Sequence, residues 1–344
     1  MMRSTVMKFV ALLGMLGLVQ ANKFYKMANG DTLPGIGLGT WKSEPNEVKL
    51  AVKEAIKLGY RHIDCAAIYG NEKEVGEALA ECFKDGIVER KDLWITSKLW
   101  NANHASENVI PALKQTLADL QLEYLDLYLI HWPVRLKHGV TFPQSAEDME
   151  PFNGEETWKA MEKAHEMGLA RHIGVSNYSI KKLQETLKIA KIKPEVNQIE
   201  RHPYLQQKKL AEFCKKNGIH VTNYSSLGSR DRPNKPEGEP VLLEDPVVKA
   251  IAEKQEATPA AVLLKWGLEE DASVIPKSVN PERLKQNLEL NEAVTLDDED
   301  MKKLRSLDRK FRYVDGTFWC KEGSPYTLEN LWDEEPTNAQ AEEL

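Results

Sequence analysis

Residues 155–177 read EETWKAMEKAHEMGLARHIGVSN. Glu155–Met167 has the pattern of an amphipathic helix and Gly168 supplies a helix stop. His172–Val175 then forms a short β-branched run that ends in Ser176-Asn177. This helix–glycine–strand unit recurs in both directions along the chain. The spacing predicts strands at Ile36–Leu38, His62–Cys65, Leu93–Ser97, Leu125–Ile130, His172–Val175, Glu195–Ile199, Val221–Tyr224 and Val274–Ile275. Helical patterns lie between them at Val48–Leu58, Glu74–Phe83, Val109–Leu120, Ile180–Ala190, Lys208–Lys216 and Pro259–Gly267. Eight strands separated by helices imply parallel pairing through crossovers, closed into an α/β fold of the (β/α)8 TIM barrel type. An open doubly wound sheet is the alternative. Asn29-Gly30-Asp31, between Phe24–Met27 and Thr32–Leu33, predicts a β-hairpin ahead of the barrel. Two long stretches lack strand signals, Pro133 to Glu155 and a long C-terminal loop from Lys310 onward. No repeat or composition break marks a second domain, so residues 22–344 read as one barrel domain.

The chain has 344 residues and a net charge of −7, which argues against general affinity for nucleic acid or an anionic membrane. With 42% apolar and 29% charged residues, wholesale disorder is also excluded. Cys65, Cys82, Cys214 and Cys320 are too few and too scattered for a disulfide scaffold. No CxxC or Cys/His cluster suggests a metal site.

Residues 1–21, MMRSTVMKFVALLGMLGLVQA, have a secretory layout. Arg3 and Lys8 precede the apolar run Phe9–Val19, and Val19-Gln20-Ala21 offers a peptidase site. The run is shorter than the ~20 residues of a membrane span. The expectation is a cleaved signal peptide and a secreted or lumenal protein with no stable membrane insertion. The alternatives are an uncleaved anchor or a cytoplasmic start at an internal methionine such as Met27.

The polar residues at the strand ends are informative. Strand two ends at Asp64 with Tyr69 just beyond, strand three reaches Lys98 and strand four runs into His131. Strand five gives Ser176-Asn177, strand six Gln198, strand seven Tyr224 and strand eight Lys277-Ser278. In a barrel these ends share one rim, where barrel chemistry occurs. Singly, each has an ordinary structural reading: a cap, a solvated lysine, a satisfied core histidine, a loop aromatic. Converged on one rim, Asp, Tyr, Lys and His are hard to explain as packing, because such groups suit strand ends poorly unless partnered. The run Gly35-Ile36-Gly37-Leu38-Gly39-Thr40 lacks the third glycine of a dinucleotide-binding GxGxxG, since Thr40 stands there.

The chain resembles the aldo-keto reductases, and within them the aldose reductase-like branch, from about Phe24 to Trp332. The resemblance is carried by Gly59-Tyr60-Arg61-His62-Ile63-Asp64 with Tyr69-Gly70-Asn71-Glu72, and by Ile95-Thr96-Ser97-Lys98-Leu99-Trp100. Leu129-Ile130-His131-Trp132-Pro133, Gly174-Val175-Ser176-Asn177 and Ile275-Pro276-Lys277-Ser278 continue it. The tail, with Ser324-Pro325-Tyr326 and Leu331-Trp332-Asp333, is similar to plant and algal members.

The resemblance implies NADPH-dependent reduction of an aldehyde or ketone. Tyr69 would be the general acid, and Lys98 beside it would lower the phenol pKa from its ordinary value near 10. Asp64 would hold Lys98, and His131 would orient the carbonyl. Ser176, Asn177 and Gln198 match positions that hold the nicotinamide carboxamide, and Tyr224 matches the ring that stacks on the nicotinamide. Thr40, Trp41, Ser225 and Leu227 are further cofactor positions. Lys277, Ser278 and Arg283 match the 2′-phosphate clamp and Asn287 an adenine contact. Trp41, Trp100, Trp132, Phe318 and Trp319 would wall the substrate pocket, fitting small, sugar or aromatic aldehydes, uronates or flat ketones. No metal is implied, and a monomer is expected.

The chain departs from the family pattern at Gln286, where many relatives have Glu, at Ser226 within Tyr224–Gly228, and at Arg201 before His202-Pro203. A non-catalytic cofactor-binding or structural protein on the same barrel is the alternative function. Such a protein would be free to lose Tyr69 or Lys98, and both are present. Two glycosylation sequons, Asn177-Tyr178-Ser179 and Asn223-Tyr224-Ser225, fall on the cofactor rim. Neither asparagine is expected to carry a glycan, because the barrel would bury both.

Overall fold

The computed structural model describes residues 23–233 and 235–333. Strands β1 (Phe24–Lys26) and β2 (Thr32–Pro34) form the expected antiparallel hairpin, with Gly30 at φ +93° in its turn. The barrel proper follows as β3 (Leu38–Gly39), α1 (Glu47–Leu58), β4 (His62–Asp64), α2 (Glu72–Lys84), β5 (Trp94–Leu99), α3 (Ser106–Leu120) and β6 (Leu125–Ile130). A short antiparallel ribbon, β7 (Arg135–Leu136) with β8 (Met149–Glu150), interrupts it. It resumes with α4 (Gly154–Glu166), β9 (Ala170–Ser176), α5 (Ile180–Ile189), β10 (Val196–Glu200), α6 (Lys208–Lys216) and β11 (His220–Tyr224). Helices α7 (Pro246–Lys254) and α8 (Pro259–Glu269) precede β12 (Ser273–Val274). Helices α9 (Pro281–Leu288), α10 (Leu290–Ala293), α11 (Asp298–Arg305) and α12 (Leu328–Trp332) complete the described chain. The sheet order β3-β4-β5-β6-β9-β10-β11-β12 is parallel throughout, and its strands lie where the sequence placed them, with ends moved by one or two residues.

The glycine run closes the barrel. Val274 N–H donates to Gly35 O at 2.8 Å, Gly37 N–H to Val274 O at 2.8 Å and Gly39 N–H to Pro276 O at 3.1 Å. A Cβ on Gly39 would lie 2.7 Å from Ile275 O, and one on Gly37 would lie 2.6 Å from the His62 ring. Real Cβ atoms do not approach so closely, so a side chain is excluded at Gly39, where first strand meets last, and at Gly37, where the first strand faces β4. The run is therefore a seam, with no dinucleotide loop, and the doubly wound alternative is set aside.

The hairpin lies across the N-terminal end of the barrel. Met27 and Leu33 pack with Trp94, Leu127, Leu129 and Val196. Tyr25 Oη donates to Ala272 O at 2.7 Å, and Lys23 O accepts from Gly35 N–H at 2.7 Å. Helices α7 and α9 were absent from the sequence reading although both open on a capped proline. Asp245 Oδ1 accepts from Val247 N–H at 2.8 Å and Asn280 Oδ1 from Arg283 N–H at 3.0 Å, with Pro246 and Pro281 starting the helices. Arg201 is buried, ion-paired to Glu270 at 3.0 Å and 5.2 Å from the Trp266 ring, so this departure from the family pattern is a core strut. Among the described residues no helix is long and apolar enough to cross a membrane. The proposed signal segment, residues 1–21, lies outside the described residues.

Candidate active site

Asp64 is the last residue of β4, and Tyr69 closes the turn Ala67–Tyr69 that follows. Lys98 sits near the end of β5, and His131 follows β6 directly. All four expected residues therefore reach one rim. Lys98 is 1% exposed, and a lysine so buried needs partners. Its Nζ donates to Asp64 Oδ1 at 2.5 Å and to Cys65 O at 2.9 Å, and stands 3.4 Å from Tyr69 Oη. Burial is the largest single effect and works against the ammonium, but Asp64 and then Tyr69 together outweigh it and the lysine pKa rises. Lys98 is therefore an ammonium at neutral pH.

One expectation is corrected here. Lys98 does pull the Tyr69 pKa down, but burial of the phenol is the larger effect and Asp64 adds to it, so the hydroxyl is pushed up to about 12. Tyr69 is thus firmly protonated at neutral pH, as a proton donor must be. His131 lies edge-on to Tyr69, with ring centres 5.9 Å apart. Burial first, then Lys98 and His104, hold its pKa well below the usual range, so the imidazole is neutral.

The residues expected at the nicotinamide form one network beside this group. Gln198 Nε2 donates to Asp64 Oδ2 at 2.8 Å, and Ser176 Oγ donates to Gln198 O at 2.8 Å. Asn177 takes a left-handed backbone, φ +63°, and its Nδ2 donates to His131 O at 3.0 Å. Tyr224 Oη donates to Asn177 Oδ1 at 2.6 Å. Thr40 Oγ1 donates to Asp64 O at 2.9 Å, and Trp41 stacks on Tyr69 with ring centres 6.4 Å apart.

The residues expected at the phosphate lie farther out. Lys277 follows β12 and bridges to Gly39, and Ser278 Oγ accepts from Asn280 N–H at 3.1 Å. Arg283 stands exposed in the first turn of α9, and Asn287 is buried on the same helix. Among the described residues neither Lys277 nor Arg283 forms an ion pair. Ser225 and Leu227 lie in the loop after β11, Ser225 with φ +50° and Leu227 packed on the core. Lys42 pairs with Asp231 at 2.5 Å and so joins the loop after β3 to the loop after β11.

Of the five aromatic residues expected to wall the pocket, four cluster together, whereas Trp41 stands apart from them against Tyr69. Trp100, Trp132 and Trp319 are buried in one cluster with Phe318 packed on it. Trp319 lies 5.9 Å from Trp100 and 5.8 Å from Trp132, and Phe318 lies 5.6 Å from Trp132. Sequence reasoning missed Phe142, 44% exposed and 5.4 Å from Trp319, and Trp332, 5.8 Å from Trp132. Phe142 sits in the stretch between β7 and β8, where no periodicity singles it out. Trp332 lies in Leu331-Trp332-Asp333, where the resemblance implies no pocket role.

The sequence pattern of the Aldo/keto reductase family matches residues 35–309. The chain is 53% identical over 321 residues to an aldo/keto reductase of Synechocystis sp., covering 92% of this chain and 98% of that protein. It is 49% identical over 290 residues to aldo-keto reductase family 1 member A1 of Homo sapiens, covering 83% and 89% of the two chains. The structure of the aldose reductase from Schistosoma japonicum superposes with a TM-score of 0.80 at 41% identity, over 86% of this chain and 95% of that one. The rim tetrad, the closed eight-stranded barrel and these likenesses agree: the chain belongs to the aldo/keto reductase family and is an oxidoreductase acting on carbonyl groups.

Proposed function

We propose that the protein reduces aldehydes and ketones to alcohols with NADPH as reductant, Tyr69 being the proton donor. The observation that carries this reading is the Lys98 ammonium standing between Asp64 and the Tyr69 hydroxyl. A protonated phenol donates to the carbonyl oxygen as negative charge develops there. The Lys98 charge, 3.4 Å away, stabilises the phenolate left behind. Neutral His131 donates a hydrogen bond to the same oxygen and fixes its approach.

The residues present fit NADPH. Ser176, Asn177 and Gln198 gather amide and hydroxyl groups at one end of the cleft, and Tyr224 offers a ring beside them. At the other end Lys277 and Arg283 are cations outside any ion pair among the described residues, suited to a 2′-phosphate. When bound, the cofactor supplies hydride to the carbonyl carbon. The aromatic wall favours flat or apolar carbonyl compounds, with sugar aldehydes and uronates as the polar end of the range. We further propose a monomer that enters the secretory pathway.

The test is NADPH absorbance against aldoses, uronates, aromatic and aliphatic aldehydes and keto-steroids. Turnover of at least one class, lost in Tyr69→Phe, is the expected result. A wild-type protein that binds NADPH and reduces none of them would support the non-catalytic alternative.

A further inference from the structure

Strand β10 brings two polar side chains to the rim, two residues apart on one face. Gln198 serves the site already described. Glu200 ends the strand, is 0% exposed and is paired in register with Tyr224. Its carboxylate makes no hydrogen bond to Asp64, Tyr69, Lys98 or His131 and is instead bonded by three donors. Oε1 accepts from Tyr313 N–H at 2.6 Å and from His202 Nε2 at 2.8 Å, and Oε2 accepts from Val314 N–H at 2.8 Å. Burial opposes the charge, but His202 heads the groups that outweigh it, and the carboxyl pKa falls below its ordinary value. A buried carboxylate donated to by successive backbone amides is a strong and directional tie.

The segment it holds leads straight into the pocket wall. Val314 packs on the cluster of Trp100, Trp132 and Trp319. Asp315 O accepts from Trp332 Nε1 at 2.6 Å, and the turn Thr317–Trp319 supplies the two aromatic residues of the wall. Tyr313 Oη donates to Pro240 O at 2.9 Å, which ties the same segment to the long loop after β11. The segment has other ties, at Tyr204 O and Tyr326 on its flanks and from Ser324 Oγ to Trp319 O at 2.9 Å in the turn, but none of these reaches the strand that carries Gln198. Glu200 joins it to the strand that carries Gln198.

We infer that Glu200 is a positioning residue for substrate selectivity, its carboxylate setting the Tyr313–Trp319 segment, and thus the Phe318/Trp319 wall, in register with the strand that serves the cofactor side. The inference rests on the carbonyl reductase reading. A large aromatic carbonyl compound uses that wall, whereas a three-carbon aldehyde reaches Tyr69 and His131 without it. Loss of the carboxylate therefore separates the two.

Glu200→Gln is the variant to make, because it keeps the shape and turns one acceptor into an NH2 facing backbone N–H donors. KM for a two-ring aromatic aldehyde should rise roughly tenfold or more, the scale of one lost charge-assisted bond. KM and kcat for propanal should stay within about twofold, and NADPH affinity should not move. Acrylamide quenching of tryptophan fluorescence should increase, and Glu200→Asp, which retains the charge, should fall between variant and wild type. A folded Glu200→Gln protein with an unchanged ratio of kcat/KM for the two aldehydes overturns the inference, as does an equal loss for both. If Glu200→Gln does not fold, Val314→Pro removes one of the amide donors and should give the same change in ratio, its absence again overturning the inference. A wild-type protein inactive on every carbonyl compound defeats the reductase reading, and the quenching arm then decides the anchoring by itself.

Discussion

The Gln198 amide and the Asp64 carboxylate are joined at 2.8 Å, and the second oxygen of that carboxylate holds Lys98 at 2.5 Å. A residue assigned to the cofactor and a residue assigned to proton transfer therefore share one carboxylate. Lys98 cannot shift toward Tyr69 without loosening Asp64, and Asp64 is braced from the cofactor side. The ammonium beside Tyr69 is thus held by a carboxylate that also carries the amide proposed for the cofactor.

Removing the phenol oxygen is the direct test of the donor. Tyr69→Phe should lower kcat by roughly 10²–10⁴-fold while NADPH affinity stays nearly unchanged. Stopped-flow turnover with fluorescence titration of the cofactor separates the two effects, and a variant keeping half its rate would falsify the assignment.

The cofactor preference should reside in Lys277 and Arg283. Replacing both with Ala should weaken NADPH binding by roughly 3 kcal/mol or more, at about 1.5–3 kcal/mol for each charge-assisted bond, and leave NADH almost unaffected. Titration of both cofactors into the double variant reads this, and equal losses for the two would refute the clamp.

Glu72 carries a pH dependence of stability. Its carboxylate accepts from Ser97 Oγ at 2.5 Å and Thr116 Oγ1 at 3.1 Å, but burial dominates and raises its pKa from 4.5 to about 7. A raised carboxyl pKa means that the fold prefers the neutral acid. Its stabilising contribution is full below the ordinary value and is lost as pH rises through about 7. Glu72→Gln is neutral at every pH, and the two hydroxyls can turn to accept from its amide. Urea unfolding from pH 5 to pH 9 should show the variant gaining on wild type as pH rises to about 7 and keeping that gain above it, by roughly 3 kcal/mol at most. Parallel curves would dismiss the effect.

The seam should not tolerate a methyl group. Gly39→Ala places a Cβ 2.7 Å from a backbone carbonyl that cannot rotate away. A loss of about 1–3 kcal/mol in denaturant unfolding is expected, while Gly30→Ala, whose Cβ meets nothing within 4 Å, should show only the cost of its left-handed turn. Equal losses at the two sites would show that close approach is not what the seam demands.

The two sequons should remain bare in a secreted or lumenal protein. Asn177 is 2% exposed and Asn223 0%, and Ser179 Oγ donates to Asp333 at 2.5 Å. Intact mass from the native source should begin at Asn22 with no sugar. A mass retaining residues 1–21 removes the cleavage proposal, and a glycopeptide at Asn177 in active enzyme overturns the role given to that residue.

Much of this architecture was legible because its signals are local. Alternating strands and helices, glycine stops and polar strand ends announce a barrel and its rim, and Asp64, Tyr69, Lys98 and His131 could be placed there directly. What escaped depends on distance. The direction of the Tyr69 pKa is decided by burial, which no motif reports. Glu200 acts on residues 113 and 114 positions away, and Phe142 lies in a stretch with no repeating pattern. The glycine run could be recognised as no nucleotide loop, yet its use as a seam required the last strand beside it.

The hairpin across the N-terminal end has a consequence for how the enzyme is displayed. Lys23 is bonded at the opposite end of the barrel from Tyr69, so a surface or label joined ahead of Lys23 would meet the molecule on the face away from the reacting groups.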